Sequence, residues 1–428
     1  MLGTEESEVS SDVEDDPTAC HYSGPILIPD VIPHLCKFLN IDAIKQCRLV
    51  CKSWNYSATP SLKAITTVEI RLEPGNCIVP LSNPNLWTWD RRIIEKLKFN
   101  DHIRISSYRP TLPPMDLETF PVVRNLTSIF VHFYTREQWQ KDLCDKIILS
   151  SALTLEELKY HWHYDQYFPS CSGVIFPKLK KLDTDCGWGQ VQPPGIISLQ
   201  RIGQAISESF LALESLKIDG THLYEISKME ILQKLPLSLN SLVLGKHLDT
   251  DGMECLLKIP SPLKKLKFWS AIRGVDPRLD DLPKIIYELL HKHSLTLEDL
   301  SMNFSSQKRT AMDFKLPVFP AMKSFGIYGI GMFKKIEFES SPGSGNFGRI
   351  NYQVCFPVFE KLQFHNYDFS IVASFLPPED HSHQVVKSVK KVGINFWRYQ
   401  KTELARNGLY IRLLDIFPNA KISMKVMT

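Results

Sequence analysis

Residues Leu263–Trp269 read LKKLKFW, with apolar side chains at the first, fourth and sixth places and Lys at most of those between. Strand side chains alternate between two faces. Places one, four and six would therefore enter a core, and places three, five and seven would line the opposite surface. The form L-x-x-L-x-φ recurs at Leu126 (LTSIFV), Leu155 (LEELKY), Leu179 (LKKLDT), Leu213 (LESLKI), Leu239 (LNSLVL), Leu297 (LEDLSM), Met322 (MKSFGI), Phe359 (FEKLQF) and Val389 (VKKVGI). Successive starts lie as little as 24 residues apart (Leu155 to Leu179) and as much as 37 (Met322 to Phe359). Helix-like stretches such as Ile202–Glu214 and Leu282–Glu298 fall between them, and Phe176-Pro177, Leu235-Pro236, Phe319-Pro320 and Phe356-Pro357 introduce several units. A strand and a helix per unit, stacked unit on unit, make a quasi-one-dimensional array. The expected fold is thus α/β: a solenoid over 62–428 with a parallel sheet on its concave face and helices on its convex face. ITTVEIRL (Ile65–Leu72) and HIRISSY (His102–Tyr108) are expected as degenerate first strands, and FPNAKISMKV (Phe417–Val426) as the last, at the edge.

Two different segments precede the array. The first twenty residues hold seven carboxylates (Glu5, Glu6, Glu8, Asp12, Glu14, Asp15 and Asp16) and no Lys or Arg. With so few large apolar side chains, residues 1–23 are expected to be a disordered acidic tail. Residues 24–61 contain LIPDVIPHLCKFLNIDAIKQCRLVCKSW (Leu27–Trp54). Val31, Ile32, Leu35, Phe38 and Leu39 repeat at helical spacing after Asp30, with Pro33 in the first turn and Asn40 ending the helix. Asp42 is expected to cap a second helix with Ile44, Cys47, Val50 and Cys51 on one face, followed by a short third segment around Trp54. Three helices in so few residues make a small core, which leaves apolar surface for a partner to cover. The same pattern also suits a plain N-terminal cap on the array.

Pro25 to about Leu62 resembles an F-box, the segment through which substrate receptors dock on the Skp-type adaptor of cullin–RING ubiquitin ligases. Leu27, Ile32, Leu35, Phe38 and Leu39 fall on the apolar positions of its first helix. Ile44, Cys47, Arg48, Leu49, Val50 and Cys51 reproduce its LxRLVC half, and Lys52, Ser53, Trp54 and Asn55 its K-x-W-N end. The first half departs from the pattern: Ile28 fills the usual Pro place, Asp30 replaces Glu, and Pro33 lies inside the helix. The units behind it resemble irregular leucine-rich repeats, although few carry the Asn of the strict consensus. The whole is similar to the leucine-rich class of F-box proteins. That resemblance implies a substrate-recognition subunit of an SCF-type ubiquitin ligase. Leu27, Ile32, Leu35, Leu39, Ile44, Leu49, Val50 and Trp54 would hold the adaptor, and through it a cullin and a RING subunit. The repeats would hold a protein substrate, with no bond chemistry in the chain itself. A solenoid scaffold acting outside any ligase is the other reading.

Composition narrows the classes further. The chain has 428 residues, 43% apolar and 23% charged, the balance of a folded protein. A net charge of +3 spread over this length does not call for nucleic acid. The N-terminus shows no basic start with an apolar run, and no stretch approaches the roughly 18 apolar residues of a membrane helix, so a cytoplasmic or nuclear location is expected. The ten cysteines are scattered and are expected to be reduced, with Cys47 and Cys51 in the core. No catalytic residue, cofactor or metal is expected. GSGNFG (Gly343–Gly348) lacks the Lys-Ser/Thr of a phosphate loop and reads as a surface loop. The pairs His161/His163, His291/His293 and His381/His383 lack neighbouring ligands. The doublets Lys180-Lys181, Lys264-Lys265, Lys334-Lys335 and Lys390-Lys391 read as solvated.

The outward places of the repeats are where a partner is expected. Place seven gathers His, Trp, Tyr and Asp, and place five is rich in Lys. Aromatic anchors beside charges are the composition of a binding surface. His161, Asp185, Lys267, Trp269, Tyr328 and His365 are the chosen substrate-binding residues.

Overall fold

A computed structural model describes residues 31–65, 67–71, 78–80, 87–89, 102–107, 126–133, 138–162, 167–184, 196–245, 248, 250–272, 278–306, 312–328, 333–365, 369–377, 385–397 and 408–427. The acidic stretch 1–23, Leu27, Asp185, His163, His381 and His383 lie outside them. The chain divides into two compact units, Met1–Thr66 and Thr67–Thr428.

The first unit holds three helices, α1 (Val31–Cys36), α2 (Ile41–Val50) and α3 (Lys52–Ile65). Ile32, Cys36, Ile44, Ala58 and Leu62 form its core, with Cys47 and Trp54 packed at the margin. Three details differ from expectation. Helix α1 stops before Phe38, and the chain turns through residues 37–39. The cap of α2 is Asn40, whose Oδ1 accepts from the Ala43 N–H at 2.8 Å, and Asp42 instead pairs with Lys45 at 3.1 Å. An Asn side chain on extended backbone satisfies one of the free N–H groups of the first turn. Helix α3 is also long rather than short, at 14 residues. Arg48 Nε donates to Asn55 Oδ1 at 2.8 Å and ties α2 to α3.

The second unit is built on eighteen strands among its described residues: β1 (Thr67–Arg71), β2 (Ile78–Pro80), β3 (Trp87–Trp89), β4 (His102–Ser107), β5 (Ser128–Phe133), β6 (Glu157–Trp162), β7 (Lys181–Thr184), β8 (Ser215–Asp219), β9 (Ser241–Gly245), β10 (Lys265–Ile272), β11 (Asp299–Ser306), β12 (Met312–Leu316), β13 (Ser324–Tyr328), β14 (Phe333–Glu339), β15 (Phe347–Gly348), β16 (Lys361–His365), β17 (Lys391–Trp397) and β18 (Lys421–Met427). Thirteen of them form one sheet in the order β1-β4-β5-β6-β7-β8-β9-β10-β11-β13-β16-β17-β18. Its pairings are parallel, so each unit adds one strand beside the last. The strands expected near residues 65–72 and 102–108 are β1 and β4, and the expected edge strand is β18.

The repeat pattern accounts for this register. In all ten units places one, four and six are buried: Leu263, Leu266 and Phe268 are at most 1% exposed, and so are Phe359, Leu362 and Phe364. They share one core with helix residues such as Ile202, Ile206, Leu223, Ile286 and Leu290. A one-residue slip of any strand would turn its apolar set outward.

Place two adds a second device. Its N–H donates to the place-two carbonyl of the preceding unit, from Lys180 to Glu156, Glu214 to Lys180, Asn240 to Glu214, and on to Lys390 and Glu360, at 2.7–2.9 Å. Apart from Asn240, the side chains along this row alternate in charge from Glu156 to Lys390. Glu298 Oε2 lies 2.6 Å from Lys323 Nζ, Glu360 Oε1 2.8 Å from Lys390 Nζ, and Glu214 Oε1 3.8 Å from Lys180 Nζ. Lys180 and Lys390, expected as merely solvated, are thus paired across units.

The helix expected in every unit is replaced in two intervals. After β11 the chain forms β12, and after β13 it forms β14 and β15, which make a separate sheet in the order β12-β14-β15. Only the short helix Tyr352–Cys355 follows before β16. Phe314, Leu316, Ile336 and Phe338 bury the apolar side of this small sheet in the same core. The GSGNFG stretch carries the turn into β15 (Gly343 and Gly345 at φ 69 and 67), and Phe347–Gly348 pairs antiparallel with β14.

Candidate functional site

Two surfaces carry the residues singled out from the sequence. The first belongs to α1–α3. Leu35 and Leu39 are 45% and 38% exposed, and Leu49 and Val50 are 77% and 62% exposed. Ile32 and Ile44 face the other way, at 1% and 0%, so they hold the unit together and offer nothing to a partner. Trp54 is half-buried against that core. Ile44, Cys47, Val50 and Cys51 therefore do not share a face. Ile44 and Cys47 turn inward, while Val50 and Cys51 are exposed. Phe38 and Tyr56, which were not among the residues expected to hold the adaptor, are the most exposed large apolar side chains among the described residues of the unit, at 88% and 85%. Tyr56 was legible: Trp54 and Ala58 turn inward, and a residue midway between them on a helix of 3.6 residues per turn points away.

The second surface is the open face of the main sheet, lined by places three, five and seven. Register aligns Trp269, Asn303, Tyr328, His365 and Asn395 on β10, β11, β13, β16 and β17. His132 and His161 are aligned on β5 and β6. Three of the chosen residues thus share the row nearer the C-terminus, Trp269 by its strand position, and His161 lies at the other end.

Around His161 the face is a charged and aromatic cluster. The ring meets Phe130 edge-on at 5.0 Å, and the Arg104 guanidinium stands 4.8 Å over the Phe130 ring. His161 Nε2 is 3.3 Å from Asp183 Oδ1, and Lys217 Nζ is 3.2 Å from Asp183 Oδ2. Burial acts to raise the Asp183 carboxyl, but the close His161 ring and the Lys217 ammonium together hold it below its ordinary range. Lys267 Nζ is 3.2 Å from Asp299 Oδ2 on the next strand. Towards the C-terminus, Tyr328 Oη donates to Gln363 Oε1 at 3.3 Å, and the Asn395 amide meets His365 Nδ1 at 2.6 Å. Burial, with Lys361 adding, lowers the pKa of His365.

The described residues include no cluster of His, Cys, Asp or Glu able to hold a metal ion. His291 and His293 lie on the helix Leu282–His293, not on a strand. His293 is buried, and its Nδ1 accepts from the Leu263 N–H at 3.4 Å, which is a structural use. No helix among the described residues is long and apolar enough to cross a membrane. The surfaces are rows of side chains on regular elements, suited to holding another molecule by shape and charge. In comparisons with known proteins, no family model matches the chain and no curated protein matches it.

Proposed function

We propose that the chain is the substrate-recognition subunit of an SCF-type ubiquitin ligase, with α1–α3 as an F-box docking on a Skp-type adaptor and the repeats as irregular leucine-rich repeats holding a protein substrate. The observation that carries this reading is the outward placement of apolar residues on the helical unit. Leu35, Phe38, Leu39, Leu49, Val50 and Tyr56 are each more than a third exposed in one small unit. A free surface this apolar marks an interaction site. The residues that resemble the F-box supply its chemistry, and the Arg48–Asn55 hydrogen bond ties α2 to α3. Through the adaptor, a cullin and a RING subunit would bring a charged conjugating enzyme near the substrate held on the sheet. The chain then acts by raising effective concentration and makes no bonds itself. The test is co-purification of a Skp-type adaptor and cullin with the full chain. Capture is expected with the wild type and not with Leu35→Asp/Val50→Asp. Equal recovery with that variant overturns the assignment. Adaptor capture without ubiquitin transfer to any bound protein would indicate a scaffold instead.

A further inference from the structure

We propose that the C-terminal end of the open face, on β13, β16, β17 and β18, is a docking groove for a carboxylate-rich segment of the protein that the repeats bind. This rests on the reading of the face as a protein-binding surface and names the chemistry of its occupant.

The four strands read SFGIY, KLQFH, KVGINFW and KISMKVM, with four Lys, one His and no acidic residue. Register sets Lys361, Lys391 and Lys421 side by side on three consecutive strands. Neighbouring strands lie about 4.8 Å apart, so the three side chains start from a row about 10 Å long. Lys425 starts four residues further along β18, roughly 13 Å from Lys421 at the rise of a strand. It is in register with Asn395 and His365. Between these two rows run Gly326, Gln363, Gly393 and Ser423, also in register. A Cβ on Gly393 would meet only Gln363, at 3.8 Å, so the floor is low on β17 and its neighbours and leaves room for an extended backbone there, while the Tyr328 ring covers Gly326 and closes the row on the β13 side.

On β6, β7, β8 and β10 each outward lysine instead stands beside a carboxylate. Lys159 pairs with Glu157, Lys217 with Asp183 and Lys267 with Asp299, at 3.1–3.2 Å. Lys181 and Lys265 are in register with Glu157 and Asp299. Glu360, the nearest acid in sequence to Lys361, is occupied by Lys390 at 2.8 Å. Among the described residues Lys361, Lys391, Lys421 and Lys425 form no ion pair. Like charges side by side across strands destabilise the free protein. A bound cluster of carboxylates relieves that repulsion, and the place-five and place-seven amides and hydroxyl supply hydrogen bonds. A nucleic-acid duplex fits less well. It presents a phosphate charge about every 1.7 Å along its axis and would run on over strands whose lysines already stand beside carboxylates.

The test is fluorescence anisotropy with the full chain and a labelled peptide carrying a run of Glu, against the same peptide with Gln. The Glu peptide is expected to bind and the Gln peptide not. Affinity should fall about tenfold in Lys391→Glu/Lys421→Glu, weaken with salt, and stay within about twofold in Lys181→Glu. Lys361→Gln/Lys425→Gln serves as a milder second variant, with about threefold loss expected. Equal binding of both peptides, or equal affinity in wild type and both lysine variants, overturns the proposal. So does tighter binding of a short DNA duplex than of the Glu peptide. The titration is repeated with the seven carboxylates of residues 5–16 changed to amides. Binding that appears only in that background assigns the groove to this chain's own acidic segment and overturns a partner as occupant. Adaptor capture measured on the same lysine variants is expected to be unchanged, which separates failure here from failure of the ligase reading.

Discussion

The rings of Tyr328 and His365 stack with centroids 4.3 Å apart and 17° between their planes, in register on β13 and β16. The hydrogen bonds of Tyr328 to Gln363 and of His365 to Asn395 extend this contact over three strands. Gly326, two residues earlier on the same face, makes room for it. A Cβ there would stand 2.9 Å from Tyr328 Cε2 and 3.2 Å from its hydroxyl. Gly326→Ala is therefore expected to lift the tyrosine ring off its partner and cost about 1 kcal/mol, the scale of an aromatic pair. The readouts are the ring-current shift on the His365 protons by NMR and the unfolding midpoint in urea. An unchanged His365 shift would show that the stack does not depend on the glycine.

Burial separates the two kinds of apolar residue on α2. Ile44 is fully buried, while its neighbours Leu49 and Val50 are largely exposed. Ile44→Ala leaves a cavity in a core of very few side chains and should cost about 2–4 kcal/mol. Leu49→Asp removes nothing from that core and should leave the melting of the helical unit unchanged. Both substitutions are expected to abolish adaptor capture, one by unfolding and the other by contact. Circular dichroism melts of the two variants distinguish these causes. A drop in melting temperature for Leu49→Asp comparable to that of Ile44→Ala would remove Leu49 from the docking face.

The alternating row at place two gives a prediction about register. The hydrogen bond from Lys323 to Glu298 lowers the pKa of the Glu298 carboxyl and raises that of Lys323 itself. Lys323→Glu would set three carboxylates in a line, with Glu298 on one side and Glu360 on the other. The melting temperature should fall, and the difference from wild type should shrink in 1 M salt, where the Debye length is about 3 Å. A deficit that persists undiminished in high salt would point to packing instead of charge.

The parallel sheet was legible because one six-residue form states both period and face. Every apolar residue at places one, four and six buries, including the substituted ones at Met322, Phe359 and Val389. The small second sheet was missed because its strands lie where the repeat logic demands a helix. Met312, Phe314 and Leu316 alternate at period two, as do Ile336 and Phe338, and that signal was available. The helix boundaries near Asn40 depended on which of two good capping residues stood on extended backbone, which periodicity does not decide. On the candidate surfaces the sequence identified which places face out. It did not identify which charges neutralise each other, because Lys217–Asp183 and Lys267–Asp299 join residues about thirty apart. Ile32 and Ile44 were misassigned for a related reason, since an apolar position on a helix reads alike whether its own core or a partner covers it.

Asp145, on the helix Gln138–Ser150, accepts a hydrogen bond from Tyr167 Oη, while its Oδ1 is buried without a hydrogen-bond partner among the described residues. Burial lifts this carboxyl to about 6, outweighing the Tyr167 hydrogen bond and the Arg201 charge. A folded value above the unfolded one means that the folded state holds the proton more tightly. That contribution is complete below about pH 4 and is lost as pH rises through 6. Asp145→Asn keeps an acceptor for Tyr167 and abolishes the titration. Allowing for screening at a half-buried site, the variant should gain about 1–2 kcal/mol over wild type at pH 8 and little or nothing at pH 4. Urea unfolding at the two pH values measures the difference, and a gap independent of pH would refute the shift.

His293 should show the opposite slope. Burial, with Lys292 adding, lowers its imidazole to about 4, and its Nδ1 is engaged with the Leu263 N–H. The unfolded chain takes up a proton near pH 6.5 while the folded one resists until about 4. The stability from the neutral ring is therefore present above pH 6.5 and is lost as pH falls from there towards 4. Below that window the folded state must accept a charge among Leu263, Leu289 and Leu290, all fully buried. In His293→Gln the side-chain oxygen can take over the Leu263 N–H without titrating. Its stability should then run flatter than wild type between pH 6.5 and 4, with the two curves separating by about 2 kcal/mol across the window. Parallel curves would mean that His293 is protonated in the folded state or that the helix end has opened to water.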